Sequence, residues 1–209
     1  MTSPSESAPR TPITLSNLSV AKGQQVICQV TNATIVRGSK VGITGANGSG
    51  KSTLLRVLAG LETDFAGSVQ VDIPLADRVF VHQSPYLFHG TVLENVEYGL
   101  KARSVSNFER RKTASCWMER FGVGHLADRS VDSLSGGEAR RTALARACVL
   151  GPELLLLDEP LADLDATGAE FVAQALKELS DSTILISSPT PLPENLTDSM
   201  IALVGFAQV

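Results

Sequence analysis

Along this chain the spacing of apolar residues changes from one stretch to the next, and the changes predict the elements. From residue 13 to residue 44, β-rich runs (Ile13-Thr14-Leu15, Val26-Ile27-Cys28, Thr34-Ile35-Val36, Val41-Gly42-Ile43) are punctuated by Gly23 and Gly38, which reads as short strands joined by turns. Leu54, Leu55, Leu58 and Leu61 then recur at helical spacing and predict a helix over residues 52–61 that ends near Gly60. Strand-like runs return at residues 68–71 and 78–81. Between residues 84 and 150 the chain turns helical, rich in Arg, Lys and Glu, with apolar Phe108, Cys116, Trp117 and Phe121. A buried strand over 154–157, an amphipathic helix over 167–179 with Phe171, Val172, Ala175, Leu176 and Leu179 inward, and a strand over 183–186 follow. Alternating strand and helix implies a layered α/β core.

The 209 residues suit one domain of ordinary size, with room for an inserted subdomain. With 43% hydrophobic and 19% charged residues the composition is globular, and a net charge of -4 makes no electrostatic case for nucleic acid, so none is expected as a partner. The longest apolar runs are far shorter than the roughly 20 residues that span a bilayer. Residues 1–12 are rich in Ser, Pro and Thr, lack a basic and an apolar signal region, and read as a disordered tail. Cys28, Cys116 and Cys148 are scattered thiols without Cys-x-x-Cys spacing, so a reducing compartment and buried small side chains are expected.

The chemistry concentrates in short motifs. Gly45, Ala46, Asn47, Gly48, Ser49, Gly50, Lys51 and Ser52 match G-x-x-x-x-G-K-S, with a strand before and a helix after, and Thr53 continues the run. Glycines let successive N–H groups point at phosphate oxygens, and the helix N-terminus adds partial positive charge. Lys51 would reach the β- and γ-phosphates, and the Ser52 hydroxyl would bind Mg²⁺. Leu154 to Leu157 run into Asp158 and Glu159, carboxylates that a buried strand tolerates only where it reaches a site. Asp158 belongs at the metal and Glu159 at the attacking water. These two motifs indicate a P-loop NTPase.

A third motif narrows the class. Leu134-Ser135-Gly136-Gly137-Glu138 precedes an Ala- and Arg-rich helical run, and here the chain resembles the ABC ATPase family, over about residue 15 to the C-terminus. Ser135 and the Gly136 and Gly137 amides would make a second phosphate-binding helix start. The resemblance implies a RecA-like core, an N-terminal antiparallel β subdomain and an inserted helical signature subdomain. The expected division is a tail over 1–12 and one ATPase domain over 13–209, with 13–83 and 151–209 as nucleotide-binding core and 84–150 inserted. It also implies a head-to-tail dimer, in which each signature turn closes over the nucleotide on its partner's P-loop.

The same resemblance places Gln83 at the metal and the attacking water, and Asp165 in a loop that communicates across the dimer. Two positions depart from it. Ser188 stands where the family has a switch histidine, and Lys22 stands where it usually stacks an aromatic on adenine; no Tyr, Phe or Trp occurs over residues 13–44. A serine can hydrogen-bond a γ-phosphate but cannot carry imidazolium charge. His82, His89 and His125 are expected as solvated or core side chains.

The function implied is the ATP-hydrolysing subunit of a membrane importer, cytoplasmic and held peripherally at the membrane by permease subunits, with an extracytoplasmic solute-binding protein as indirect partner and ATP and Mg²⁺ as ligands. Import is expected over export because no spanning segment is fused and the chain ends soon after Met200. Residues 85–100 and 134–150 are similar to ATPases of tungstate, molybdate and related oxyanion uptake. A soluble ABC ATPase that remodels protein or nucleic-acid complexes is the alternative, and a degenerate scaffold is opposed by intact Lys51, Asp158 and Glu159.

Overall fold

In the computed structural model, residues 12–204 are described; all of the expected tail except Pro12 lies outside them. Four apolar residues in a row, Leu154 to Leu157, explain the layout, because a strand with no polar face must be covered on both sides. They lie in β6 (Leu154–Asp158), second in a parallel sheet ordered β5 (Arg78–Val81), β6, β7 (Thr183–Ser188), β3 (Lys40–Thr44), β8 (Ser199–Ala202). Successive side chains of a strand point to opposite faces. Leu154 and Leu156 of β6 and Leu185 of β7 therefore join one hydrophobic cluster, while Leu155, Leu157, Ile184 and Ile186 join another.

The first cluster is closed by α1 (Lys51–Leu58), whose Leu54, Leu55 and Leu58 are fully buried, and by an antiparallel sheet ordered β2 (Gln25–Ile35), β1 (Ile13–Lys22), β4 (Ala66–Gln70). This is the antiparallel β subdomain expected from the sequence. The second cluster is closed by α2 (Val92–Ala102), α3 (Asn107–Arg120), α4 (Gly136–Cys148) and α5 (Ala166–Lys177). Truncating one of these leucines to alanine costs about 2–5 kcal/mol, since the cavity left between sheet and helix cannot collapse freely.

Cys116, expected buried, and Phe171, expected inward, are not in the core, and apolar Phe108 is outside it as well. Phe108 is 76% exposed, because the buried stripe of α3 is made by Ala114 and Met118, one turn apart, and Phe108 lies off it. Cys116, on the same helix, is exposed. Phe171 of α5 is partly exposed, its ring lying against Gly122, where a Cβ would come within 2.7 Å of the ring. None of the helices among the described residues is long and apolar enough to cross a membrane.

Candidate nucleotide site

Functional residues gather at the carboxyl ends of adjacent parallel strands, the edge where open α/β sheets bind ligands. β3 ends at Thr44 and leads into the Gly45 turn; β5 ends just before His82 and Gln83; β6 ends in Asp158 and Glu159; β7 ends in Ser187 and Ser188.

The Gly-rich turn is shaped for an anion. Gly48 and Gly50 have φ of +81° and +93°, a left-handed conformation that a Cβ disfavours. Around Gly48 there is open space, whereas at Gly50 a Cβ would come within 2.4 Å of the Ile27 carbonyl of β2. The remaining α-helices are each capped at the N-terminus by a side chain: Thr91 on α2, Ser106 on α3, Ser135 on α4 and Asp165 on α5. α1 begins at Gly50 with no side-chain cap. Its first N–H groups are thus free of side-chain acceptors, and the Ser49 hydroxyl is buried without a partner. An uncapped helix start with an unpartnered hydroxyl fits a phosphate. Lys51, 5% exposed, folds back to donate from Nζ to the Gly45 carbonyl at 2.8 Å and the Ala46 carbonyl at 3.1 Å.

Opposite the turn stand the polar ends of β5 and β6. Gln83 Nε2 donates to Glu159 Oε2 at 2.9 Å, bringing together residues 76 apart in sequence. Gln83 and Glu159 line one cleft of about 430 Å³ with Lys22, Ile27, Lys51 and Ser52. Lys22 thus sits at this cleft, at the end of β1, and among the described residues no aromatic side chain lines it. Asp158 is 3% exposed behind this wall. Among the described residues no three His, Cys, Asp or Glu side chains converge on a metal. The donors at hand are the Ser52 hydroxyl, the Gln83 amide and the Asp158 carboxylate, a hard oxygen set that suits Mg²⁺ shared with phosphate.

Ser188 does not line this cleft. It faces a neighbouring pocket with Glu159, Leu161 and Pro189, and its hydroxyl donates to the Thr190 carbonyl at 2.6 Å in a local turn. Asp165 caps α5, accepting from the Gly168 N–H at 2.7 Å. The signature turn lies apart from the cleft, with Ser135 and Gly136 exposed and open space around Gly136. There Ser135 and Glu138 form a reciprocal capping box, Glu138 N–H to Ser135 Oγ at 3.3 Å and Ser135 N–H to Glu138 Oε2 at 2.8 Å. The Ser135 backbone bond holds the Glu138 carboxyl below its ordinary pKa.

Two residues of this site were not legible in the sequence. Ser187, fully buried, donates from Oγ to Asp158 Oδ1 at 2.7 Å and accepts the Glu159 N–H at 2.9 Å. Arg140 of α4 donates from Nη1 to the Glu159 carbonyl at 2.8 Å. Beside the nucleotide cleft, a more apolar cleft of about 490 Å³ lies between β5 and α4, lined by Phe80, Tyr86, Phe88, Tyr98, Arg146 and Leu150. Its outer loop is pinned by buried Asn95, which accepts from the Phe88 N–H at 2.9 Å and donates to the Phe88 carbonyl at 2.8 Å.

The chain is similar to known proteins in sequence and in fold. A Fe(3+) ions import ATP-binding protein, FbpC, of Pasteurella multocida is 39% identical over 176 residues, covering 80% of this chain and 50% of that protein. A tungstate uptake system ATP-binding protein, TupC, of Peptoclostridium acidaminophilum is 36% identical over 182 residues, covering 83% of this chain and 85% of that protein. The chain thus spans about half the length of the iron-import relatives it matches. Among solved structures, cbiO1 of Clostridium perfringens, part of the ABC transporter complex cbiONQ, superposes with a TM-score of 0.78 at 28% identity, covering 91% of this chain and 84% of that one. Residues 28–162 match the ABC transporter family, from near the start of β2 to just past the acidic pair, and the chain belongs to that family.

Proposed function

We propose that this chain binds and hydrolyses MgATP as the energising subunit of a membrane importer, working as a dimer whose closure and reopening drive the permease. The observation that carries the reading is the meeting of Gln83 and Glu159 at 2.9 Å across the cleft from Lys51, which sets a water-activating carboxylate opposite a phosphate cradle. Ser52, Gln83 and Asp158 are the residues that would hold Mg²⁺, which would supply charge neutralisation for the phosphates. On binding, Lys51 exchanges the Gly45 and Ala46 carbonyls for phosphate, so its ammonium moves between acceptors without ever being left unpaired. Residues Gly45 to Thr53 hold the phosphates through backbone N–H groups and hydroxyls. The Glu159 carboxylate takes up the proton of the attacking water as its oxygen bonds to the γ-phosphorus and the bond to the oxygen bridging to the β-phosphate breaks, ADP leaving; Gln83 orients that carboxylate. The catalytic set is Glu159, Lys51 and Gln83; Ser188, expected among them, lines the neighbouring pocket and spends its hydroxyl on Thr190.

The signature turn, Ser135 with Gly136 and Gly137, stands outside its own chain's cleft, which supports a second copy as its nucleotide's owner. The apolar cleft beside Gln83 suits an amphipathic helix from a permease, because Tyr86, Phe88 and Tyr98 are exposed aromatics around its mouth and Gln83 follows its β5 wall directly. Residence on the cytoplasmic face through that permease follows, with a solute-binding protein acting from the other side. An oxyanion of the tungstate or molybdate kind is the solute class favoured by the tungstate relative, of which this chain spans 85%.

Steady-state phosphate release from the purified chain tests the activity; no Mg²⁺-dependent turnover, with or without permease, would end the reading. A disulfide tests the dimer. Asn47 is exposed whereas Ser49 is buried, so Asn47→Cys and Ser135→Cys are the pair, in a Cys116→Ser background. Burial pushes the Cys28 thiol up to about 11 and raises that of Cys148 as well, so neither competes. The link is expected between chains with MgATP present, and a link formed only within one chain overturns the dimer.

A further inference from the structure

Glu159 has a backbone φ of 49°, left-handed and unfavourable for a residue with a Cβ, at the point where the acidic strand ends. Such a conformation persists only where surrounding groups hold it. Here both of its backbone polar groups are held from other elements. Its N–H donates to Ser187 Oγ at 2.9 Å, and its carbonyl accepts from Arg140 Nη1 at 2.8 Å as well as from the Ala162 N–H at 3.2 Å. Ser187 is fully buried on β7, in register with Asp158, and spends its own proton on Asp158 Oδ1 at 2.7 Å. Arg140 is on α4, in the turn after the signature residues, with a side chain 11% exposed; its second nitrogen stands 3.5 Å from Asp163 Oδ2.

We propose that Ser187 and Arg140 are positioning residues for Glu159: Ser187 ties it to Asp158, and Arg140 makes the direction of its carboxylate depend on how α4 is seated. This rests on Glu159 being the water-activating base. The consequence is mechanical. α4 begins at the signature turn, so any displacement of that turn by a nucleotide on a second copy moves the Arg140 guanidinium, and with it the peptide that aims Glu159 at Gln83. One hydroxyl thereby aligns the metal carboxylate with the base, and one guanidinium reports the state of the signature helix to the same base.

Hydrolysis by Arg140→Met and Ser187→Ala is the test, because Met keeps the packed stem of Arg140 and removes its donors. Each variant should lose about tenfold or more in kcat with KM for MgATP within about twofold. Ser187→Thr, which keeps the hydroxyl, and Arg140→Lys, which keeps one donor, should recover most of the rate. Asp163→Asn, which removes only the ion pair, should stay near wild type. In a Glu159→Gln background, followed by single-turnover hydrolysis, Arg140→Met should cause no further loss, since the group it positions no longer acts. An undiminished kcat in Arg140→Met and Ser187→Ala, a rise in KM at constant kcat, or a loss that persists in the Glu159→Gln background overturns the proposal. Wild-type turnover by Glu159→Gln would instead strike the base itself, and is read separately.

Discussion

The phosphate cradle is one uninterrupted stretch, residues 45–53, whereas the corner around Glu159 draws on β5, β6, β7 and α4. The cradle works through backbone geometry: glycines in left-handed conformation and an uncapped helix start, set by the order of residues alone. The corner works through side chains whose partners are 19, 28 and 76 residues away. The cradle is therefore carried wherever its segment folds, while the corner exists only when sheet register and helix seating are right. Damage to the first should weaken binding, and damage to the second should slow chemistry at unchanged binding.

The largest effect expected from separating the two is that of Glu159→Gln. Loss of a general base is worth about 10²–10⁴-fold in turnover, and the cradle is untouched, so MgATP should still bind and the protein should accumulate as a closed dimer on size-exclusion chromatography. Monomer with near-normal turnover would remove Glu159 from the corner. Lys51→Ala addresses the other side: losing a charge-assisted contact should weaken nucleotide affinity by about ten- to a hundredfold in calorimetric titration. Thermal stability without nucleotide should change little, because the lost partners are the loop carbonyls of Gly45 and Ala46.

A smaller gain is expected from Ser188→His. A charge-assisted hydrogen bond is worth roughly 1.5–3 kcal/mol against about 1 for a neutral one, so turnover should rise by up to about tenfold. The pocket that Ser188 shares with Glu159, of about 380 Å³, has room for the ring, and the hydroxyl given up serves only a local turn with Thr190. Absence of any gain, with and without permease, would show that Ser188 does not limit the step.

The smallest effect concerns Glu138→Gln. Glutamine keeps the capping box, so stability at neutral pH should shift by less than about 0.5 kcal/mol. The acid side should differ. The Ser135 N–H holds the Glu138 carboxyl below its ordinary value of 4.5, so the charged form adds stability above that value and the contribution is lost as pH falls through the lower folded value. Melting temperatures from pH 7 down to about 3.5 should therefore fall less steeply in the variant; parallel curves would dissociate Glu138 charge from the cap.

Period and punctuation placed β3, β5, β6 and β7 and α1, α4 and α5 to within a few residues, because each buries a face wide enough to impose its period on the sequence, whereas β8, exposed along most of its length, was not legible. α3 was harder to read. Ala114 and Met118 of it are buried and Trp117 packs partly against the same core, while Phe108 and Cys116 answer to no core. Ser187 and Ser188 looked alike as a polar strand end. In the structure both are buried, but Ser187 donates to Asp158 and Ser188 to the Thr190 carbonyl of a local turn, because successive side chains of a strand point to opposite faces of the sheet.

What the order of residues settles by itself is what short-range geometry demands: glycines where the backbone must turn left-handed beside a phosphate, a serine before a helix, carboxylates where an apolar strand stops. What only the tertiary structure decides is who meets whom. Asp158 lies opposite Ser187 because burying both faces of β6 and β7 permits one register, and a slip of one residue would turn every leucine to the wrong cluster. Arg140 reaches Glu159 because α4 is seated by Leu144, Ala145 and Cys148 against that same sheet, a placement determined by packing.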